Sequence, residues 1–263
     1  MIPKIIHYCW FGRNPLPELA LKCIESWKKF LPDYEIKEWN EDNYNVHKIP
    51  YISEAYNAKK YAFVSDYARF DILYEYGGIY FDTDVEVIKD LSPIIEYGAF
   101  AGVERAGELN AGLGIASPAA MEIFKEVLNS YADEHFINSD GSFNLKTVVT
   151  RVSDIFYKYG FVKENKIQDV AGVRVYPTEY FCPKNYKTGV LKISENSYTI
   201  HHYDGSWFDD WRHKVQVFSH LYIQKHGNTI ISRFVVTTYH ISMIFKEFGL
   251  FRGLKFLKNK ISK

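Results

Sequence analysis

Residues 61–87, YAFVSDYARFDILYEYGGIYFDTDVEV, change their periodicity midway, from that of a helix to that of a strand, and the rest of the chain is organised around that change. From 61 to 76 the positions Ala62, Ser65 or Asp66, Arg69 and Leu73 recur three or four apart, uninterrupted by Pro or Gly, which predicts a helix. Gly77-Gly78 predicts its end, because glycine takes the left-handed C-cap conformation without steric cost. After the glycines the period is two. Ile79, Phe81, Val85 and Val87 face one way and Tyr80, Asp82, Asp84 and Glu86 the other, as in a strand leaving the core.

That strand sets Asp82 and Asp84 on one side of the backbone at its C-terminal end, where open α/β sheets bind ligands. Two hard oxygen donors one residue apart suit Mg2+ or Mn2+, with phosphate oxygens filling other positions. A D-x-D tripeptide alone is commonly a pair of solvated turn carboxylates. Here Asp66 and Arg69 precede it at i and i+3 on one helix face, and the glycines and the periodicity switch link the two segments, which favours a built site.

The rest of the first half reads as βαβ units. Residues 5–9 form a short buried strand between Pro3 and the Phe11-Gly12 turn, with Trp10 at its carboxyl end. Residues 19–30 form an amphipathic helix burying Ala20, Cys23, Ile24, Trp27 and, just beyond it, Leu31; residues 34–39 alternate as a second strand. Right-handed crossovers lay these strands parallel, so that Trp10, Trp39 and the Asp82/Asp84 pair converge on one edge. Further strands are expected at 100–103, 109–115 and 173–177, and helices from Pro118 to about 131 and over 144–159. Gly112 and Gly114 mark close backbone approaches or bulges; no third glycine or opening helix follows them, which excludes a dinucleotide-binding turn.

A second informative stretch is YTIHHYDGSW, 198–207. A strand ending near Ile200 leaves two histidines, His201 and His202, pointing opposite ways, so that one of them can complete a metal already held by carboxylates. Ser206 and Trp207 follow this strand in a loop that would serve as a lid to exclude water from a bound ligand.

Ser65-Asp66, Arg69, Gly77-Gly78, Tyr80, Asp82 and Asp84 together resemble the sugar-binding DXD region of bacterial capsular-polysaccharide and fungal mannosyl glycosyltransferases, glycosyltransferase family 32, related to clostridial glucosylating toxin domains. IPKIIHYCWFG at the amino terminus and HHYDGSW late in the chain resemble that family's first strand and closing motif. The resemblance implies an α/β fold of the GT-A type, a single mixed sheet flanked by helices, and a nucleotide-diphosphate sugar donor, UDP-hexose foremost. It also implies transfer with retention of configuration to a glycan or lipid-linked glycan in surface polysaccharide synthesis. By the same resemblance Trp10 stacks on the base, Asp82 reaches the metal through water or touches the ribose, and Asn110 contacts the sugar. His201 rather than His202 joins Asp84 on Mn2+ or Mg2+, Tyr80 adds a phosphate or sugar contact, and Asp66 and Arg69 orient the donor sugar. The turn at Asp140 matches the location of an acceptor-side segment, without the Gly-Pro pair common there.

Composition narrows the alternatives. The formal net charge of the 263 residues is zero, which argues against a general nucleic-acid binder. Three cysteines, an odd number without metal-site spacing, point to free thiols in a reducing compartment; with no signal-like start, a cytoplasmic location is expected. From 212 to 263 there are ten Lys or Arg and one acidic residue, Glu247, a net of +9 that leaves −9 on residues 1–211. The expected division is therefore a transferase domain over 1–211 and a basic amphipathic helical extension over 212–263, suited to peripheral contact with an anionic membrane. Two other classes compete: a non-catalytic carbohydrate-binding protein, which would use the 21 Tyr and 5 Trp but needs neither D-x-D nor S-D-x-x-R, and a metal-dependent nucleotide-sugar hydrolase, which usually carries more acidic ligands.

Overall fold

A computed structural model describes residues 1–205 and 210–261. The chain divides into two units, Met1–Pro183 with Ile193–His202, and Lys184–Lys192 with Tyr203–Lys263.

The first unit is built on a seven-stranded mixed sheet. The elements met first are β1 (Ile5–Cys9), α1 (Glu18–Phe30), β2 (Glu35–Trp39), α2 (Pro50–Asn57), α3 (Tyr61–Tyr76), β3 (Gly78–Tyr80), β4 (Val85–Val87) and α4 (Ser92–Ile95). There follow β5 (Phe100–Arg105), β6 (Glu108–Ser117), α5 (Glu122–Asn129), α6 (Val148–Lys158), β7 (Gln168–Val170), β8 (Val173–Tyr176), α7 (Thr178–Phe181) and β9 (Thr199–His201). Strand order is β2-β1-β3-β6-β5-β8-β7, with β1 parallel to both β2 and β3 and the sense reversing at β6. This is a mixed sheet flanked by helices, as a GT-A-like nucleotide-sugar transferase fold requires, and the carboxyl ends of β1, β2 and β3 share one edge. Beside it, β4 and β9 pair antiparallel as a separate ribbon.

The separation of β3 from β4 corrects the expected continuous strand. β3 ends at Tyr80, residues 81–84 turn, and the Val85 N–H donates to the Asp82 carbonyl (3.1 Å). The new strand is held from the other side by α1: the Trp27 indole donates to the Val85 carbonyl (2.7 Å) and the Val87 N–H donates to Ser26 Oγ (2.9 Å). Alternation continues through the turn because Tyr80 and Phe81 are both buried, one toward α3 and Cys9 and the other against Trp27, so a period of two conceals the break.

At the junction of α3 and β3 glycine is obligatory. Gly77 (φ 67°) caps α3 by donating to the Leu73 carbonyl, and a Cβ there would lie 2.7 Å from the Ala119 nitrogen; at Gly78 (φ 103°) it would lie 2.7 Å from the Ile5 carbonyl oxygen. The helix before them is buried on several sides, with Phe63, Val64, Ala68, Phe70 and Leu73 in the core. Trp39 also turns inward. Its ring packs on Tyr44 and Tyr76 and its indole donates to His7 Nδ1 (3.1 Å), so of the two tryptophans expected at the carboxyl edge only Trp10 presents a partly exposed ring there.

Two helices are shorter than expected. α5 begins at Glu122 because Ala120 (φ 59°) donates to the Tyr74 carbonyl, and α6 begins at Val148 after a Thr147 N-cap, Asn144 being drawn off to Glu134 and the His135 carbonyl.

In the second unit, α8 (Asp210–His226) and α9 (Ile230–Ile261) pack around Trp211, Val215 and Ile244, and Gly249 (φ 71°) breaks α9 where the sequence separates two basic apolar segments.

Candidate active site

The turn at 81–84 sends the two carboxylates of the D-x-D segment to different partners. Asp82 turns toward α3: its Oδ1 accepts from the Tyr80 hydroxyl (3.0 Å) and lies 3.2 Å from Arg69 Nη2. Asp84 turns toward β9, where its Oδ2 lies 3.3 Å from His201 Nε2. Sequence alternation places both on one face; the turn gives each a separate task.

Arg69 is the hinge of the first group. Its Nη2 also donates to Asp66 Oδ1 (2.9 Å) and its Nε donates to the Ser65 carbonyl, one turn back in α3. The guanidinium lies 4.9 Å from the Tyr80 ring centroid, and the side chain is almost wholly buried. A planar fork can bridge two carboxylates in a fixed orientation, which a lysine ammonium cannot. Burial works against its charge, and Asp82, Tyr80 and Asp66 outweigh that, leaving Arg69 firmly protonated. Burial raises the Tyr80 hydroxyl well above its usual range and lifts the Cys9 thiol, beside it, to about 12.

Asp66 is the unusual member. Burial pushes its carboxyl up to about 6, against the pull of Arg69 and with the help of Asp82, while the Val148 N–H at the start of α6 and the charge of Arg151 draw it down. Arg151 in turn is fixed by the Ser130 carbonyl (2.7 Å), by Glu134 and by the Tyr131 ring 3.8 Å from its guanidinium carbon. These supports come from α6 and the segment after α5, and nothing local to 61–87 announces them. The histidine pair splits as alternation requires: His202 Nε2 bonds Glu86 Oε2 (2.8 Å), which Lys22 also holds (2.9 Å). Burial disfavours a charged His201, and Asp84 overrides it, moving its pKa well up.

β6 closes the floor of the Asp82 group. The Asp82 N–H donates to the Gly112 carbonyl (3.0 Å), and a Cβ on Gly112 would stand 1.9 Å from Asp82 Oδ2 and 3.1 Å from Arg69 Nη1. Asn110 holds this segment: its Oδ1 accepts from the Gly112 N–H (2.8 Å) and its Nδ2 donates to Glu104 (2.9 Å). Trp10 lies at the end of β1 with its indole donating to the Asn14 carbonyl (2.6 Å), and Asp140 bonds Ser142 within its own turn. Ser206 and Trp207 lie outside the described residues.

Among the described residues no cluster of three or more His, Cys, Asp and Glu side chains is placed to hold a metal. Asp84 with His201 offers one hard carboxylate oxygen and, once a bound cation displaces the proton that Asp84 favours on the ring, one imidazole nitrogen, both with only a sliver of exposed surface. That donor pair fits a small divalent ion that draws its remaining ligands from diphosphate and water.

The GT-A-like sheet thus carries at its carboxyl edge an acidic, arginine-bridged group beside a carboxylate–imidazole pair. Residues 17–101 match the family described as "Glycosyltransferase sugar-binding region containing DXD motif". Inositol phosphoceramide mannosyltransferase 3 of Schizosaccharomyces pombe is 31% identical over 146 residues, 51% of this chain and 40% of that protein. Mannosyl phosphorylinositol ceramide synthase CSH1 of Saccharomyces cerevisiae is 31% identical over 104 residues, 38% of this chain and 27% of that protein. The chain thus spans well under half the length of these relatives. Among solved structures, PaToxG Glycosyltransferase aligns with a TM-score of 0.45 and 20% identity, over 60% of this chain and 69% of that one. The chain is related to DXD-motif glycosyltransferases, fungal mannosyltransferases among them.

Proposed function

We propose that the chain transfers a hexosyl unit, with retention of configuration, from a nucleotide-diphosphate sugar, UDP-linked in the first instance, to a hydroxyl of a glycan or lipid-linked glycan in surface polysaccharide synthesis. Residues 1–211 would form the transferase domain, of the capsular and fungal mannosyl type. The observation that carries this reading is the buried bridge of Arg69 between Asp66 and Asp82, set beside the Asp84/His201 pair at the carboxyl edge of the sheet. The names of the fungal relatives add support for a lipid-linked acceptor and for mannose as the hexose.

Arg69 and Asp66 hydrogen-bond the donor sugar and hold it in one pose, which lowers the entropic part of the barrier. Asp82, already braced by Tyr80 and Arg69, accepts from a ribose or sugar hydroxyl without needing to move. Trp10 stacks on the base, and Asn110 keeps β6 close behind the sugar. Asp84 and His201 would hold Mn2+ or Mg2+, which when bound neutralises charge on the leaving diphosphate. The acceptor oxygen attacks on the face from which the diphosphate departs. The new C–O bond forms as the old one breaks, and the acceptor's proton passes to the departing phosphate oxygen, so no protein nucleophile is needed.

The test is thermal unfolding with UDP, GDP or CDP, each with and without Mn2+. One nucleotide should raise the melting temperature only when Mn2+ is present, and Asp84→Ala should abolish that rise. No shift with any nucleotide in the folded protein would remove the proposal.

A further inference from the structure

The four most exposed large apolar side chains among the described residues of the second unit lie at two places. The first is the turn between α8 and α9, at Gly227 (φ 75°), where α9 opens with Ile230, Ile231 and Phe234 at 86%, 74% and 72% exposure. The second follows the break at Gly249, where Phe251 is 86% exposed between Leu250 and Leu254. Monomeric proteins in water rarely leave such groups uncovered in clusters.

Charge identifies what covers them. Lys225 and Arg233 flank the first cluster, and Arg252, Lys255 and Lys258, all exposed, accompany the second. In the last segment Gly253, Phe256 and Leu257 take the packed side, and at 100° per residue the basic and apolar groups share the opposite arc. Mixed in this way, the methylene stems of Lys and Arg can lie along an apolar layer while their charges reach phosphates above it. Residues 212–263 carry +9, so two copies meeting through these surfaces would repel, whereas an anionic surface is attracted. Among the described residues no helix is long and apolar enough to cross a bilayer.

We propose that this unit docks on the surface of an anionic phospholipid bilayer, inserting Ile230, Ile231, Phe234 and Phe251 to the acyl boundary while its exposed Lys and Arg pair with headgroup phosphates. The attachment is interfacial and reversible, and it does not depend on the sugar-transfer reading.

The test is sedimentation of the full chain with vesicles of phosphatidylcholine alone or mixed with phosphatidylglycerol. Binding should require the anionic lipid and weaken with added salt. Lys255→Gln with Lys258→Gln should reduce partition about thirtyfold, from about 1 kcal/mol per basic residue. Phe234→Ser with Phe251→Ser should reduce it at least about tenfold at unchanged charge, because that apolar area no longer leaves water. Circular dichroism checks that these exposed substitutions leave the fold intact. Equal binding to both vesicle types, or none by the folded protein, overturns the proposal. So does a wild-type dimer that the Phe substitutions dissociate while vesicle binding is unchanged, since the apolar clusters would then be a protein interface.

Discussion

Gly112→Ala should disable the site through a single methyl group. The backbone at Gly112 is one any residue can adopt, so the substitution brings no conformational strain; its effect lies in the 1.9 Å between the new Cβ and Asp82 Oδ2. Ordinary contact begins near 3.4 Å, so the carboxylate must retreat by about 1.5 Å or β6 must move away. Asp82 would then leave Arg69 Nη2, now at 3.2 Å, and the Tyr80 hydroxyl, now at 3.0 Å. Overpacking a filled interior costs about 1–3 kcal/mol, an upper bound here because the Asp82 side chain is 30% exposed, and misplacing a substrate-orienting group by about 1 Å costs on the order of a hundredfold in turnover. Urea unfolding and release of nucleotide from UDP-hexose measure the two effects. Asp82→Ala removes the obstructing carboxylate, so adding Gly112→Ala to it should cost less than half of what it costs in the wild type. Equal cost in both backgrounds, or full turnover by Gly112→Ala, would refute the steric argument.

Four further outcomes are expected. With Asp66 raised to about 6 and, in the proposed role, needed as an anion to orient the sugar, kcat/KM should fall tenfold per pH unit below about pH 6, and Asp66→Asn should be slow with that limb gone. The stability sign is opposite: the folded carboxyl binds its proton more tightly than the unfolded one, so its contribution is present below pH 3.8 and is lost as pH rises through about 6. Urea titrations across that window, compared with Asp66→Asn, isolate it. Arg69→Lys keeps the charge but cannot span Asp66 and Asp82, and should lower turnover about a hundredfold and unfolding free energy by about 1–3 kcal/mol. His201→Ala should raise the Mn2+ concentration needed for the UDP-dependent thermal shift, whereas His202→Ala, whose ring bonds Glu86, should leave it unchanged.

Much of the first half is legible in sequence because its elements are local. β1, α1, β2 and α3 follow from apolar period and from where Pro and Gly interrupt it, and Gly112 reads as a close approach before Asp82 is known to be what approaches it. The parting of Asp82 from Asp84 is not legible, since β4 leaves the main sheet only because β9, far along the chain, and Trp27 are there to receive it. The supports of Asp66 are hidden for the same reason. Arg151 and the Val148 N–H reach it by tertiary packing, and a mid-helix arginine in an amphipathic pattern carries no mark of that role.

The most direct measurement is an anomalous-difference map from crystals grown with UDP and Mn2+. The expected result is one Mn2+ peak bonded to Asp84 and His201 and to diphosphate oxygens, with Asp82 still against Arg69. UDP bound with Mn2+ absent from that pair, or held by other side chains, would contradict the assignment.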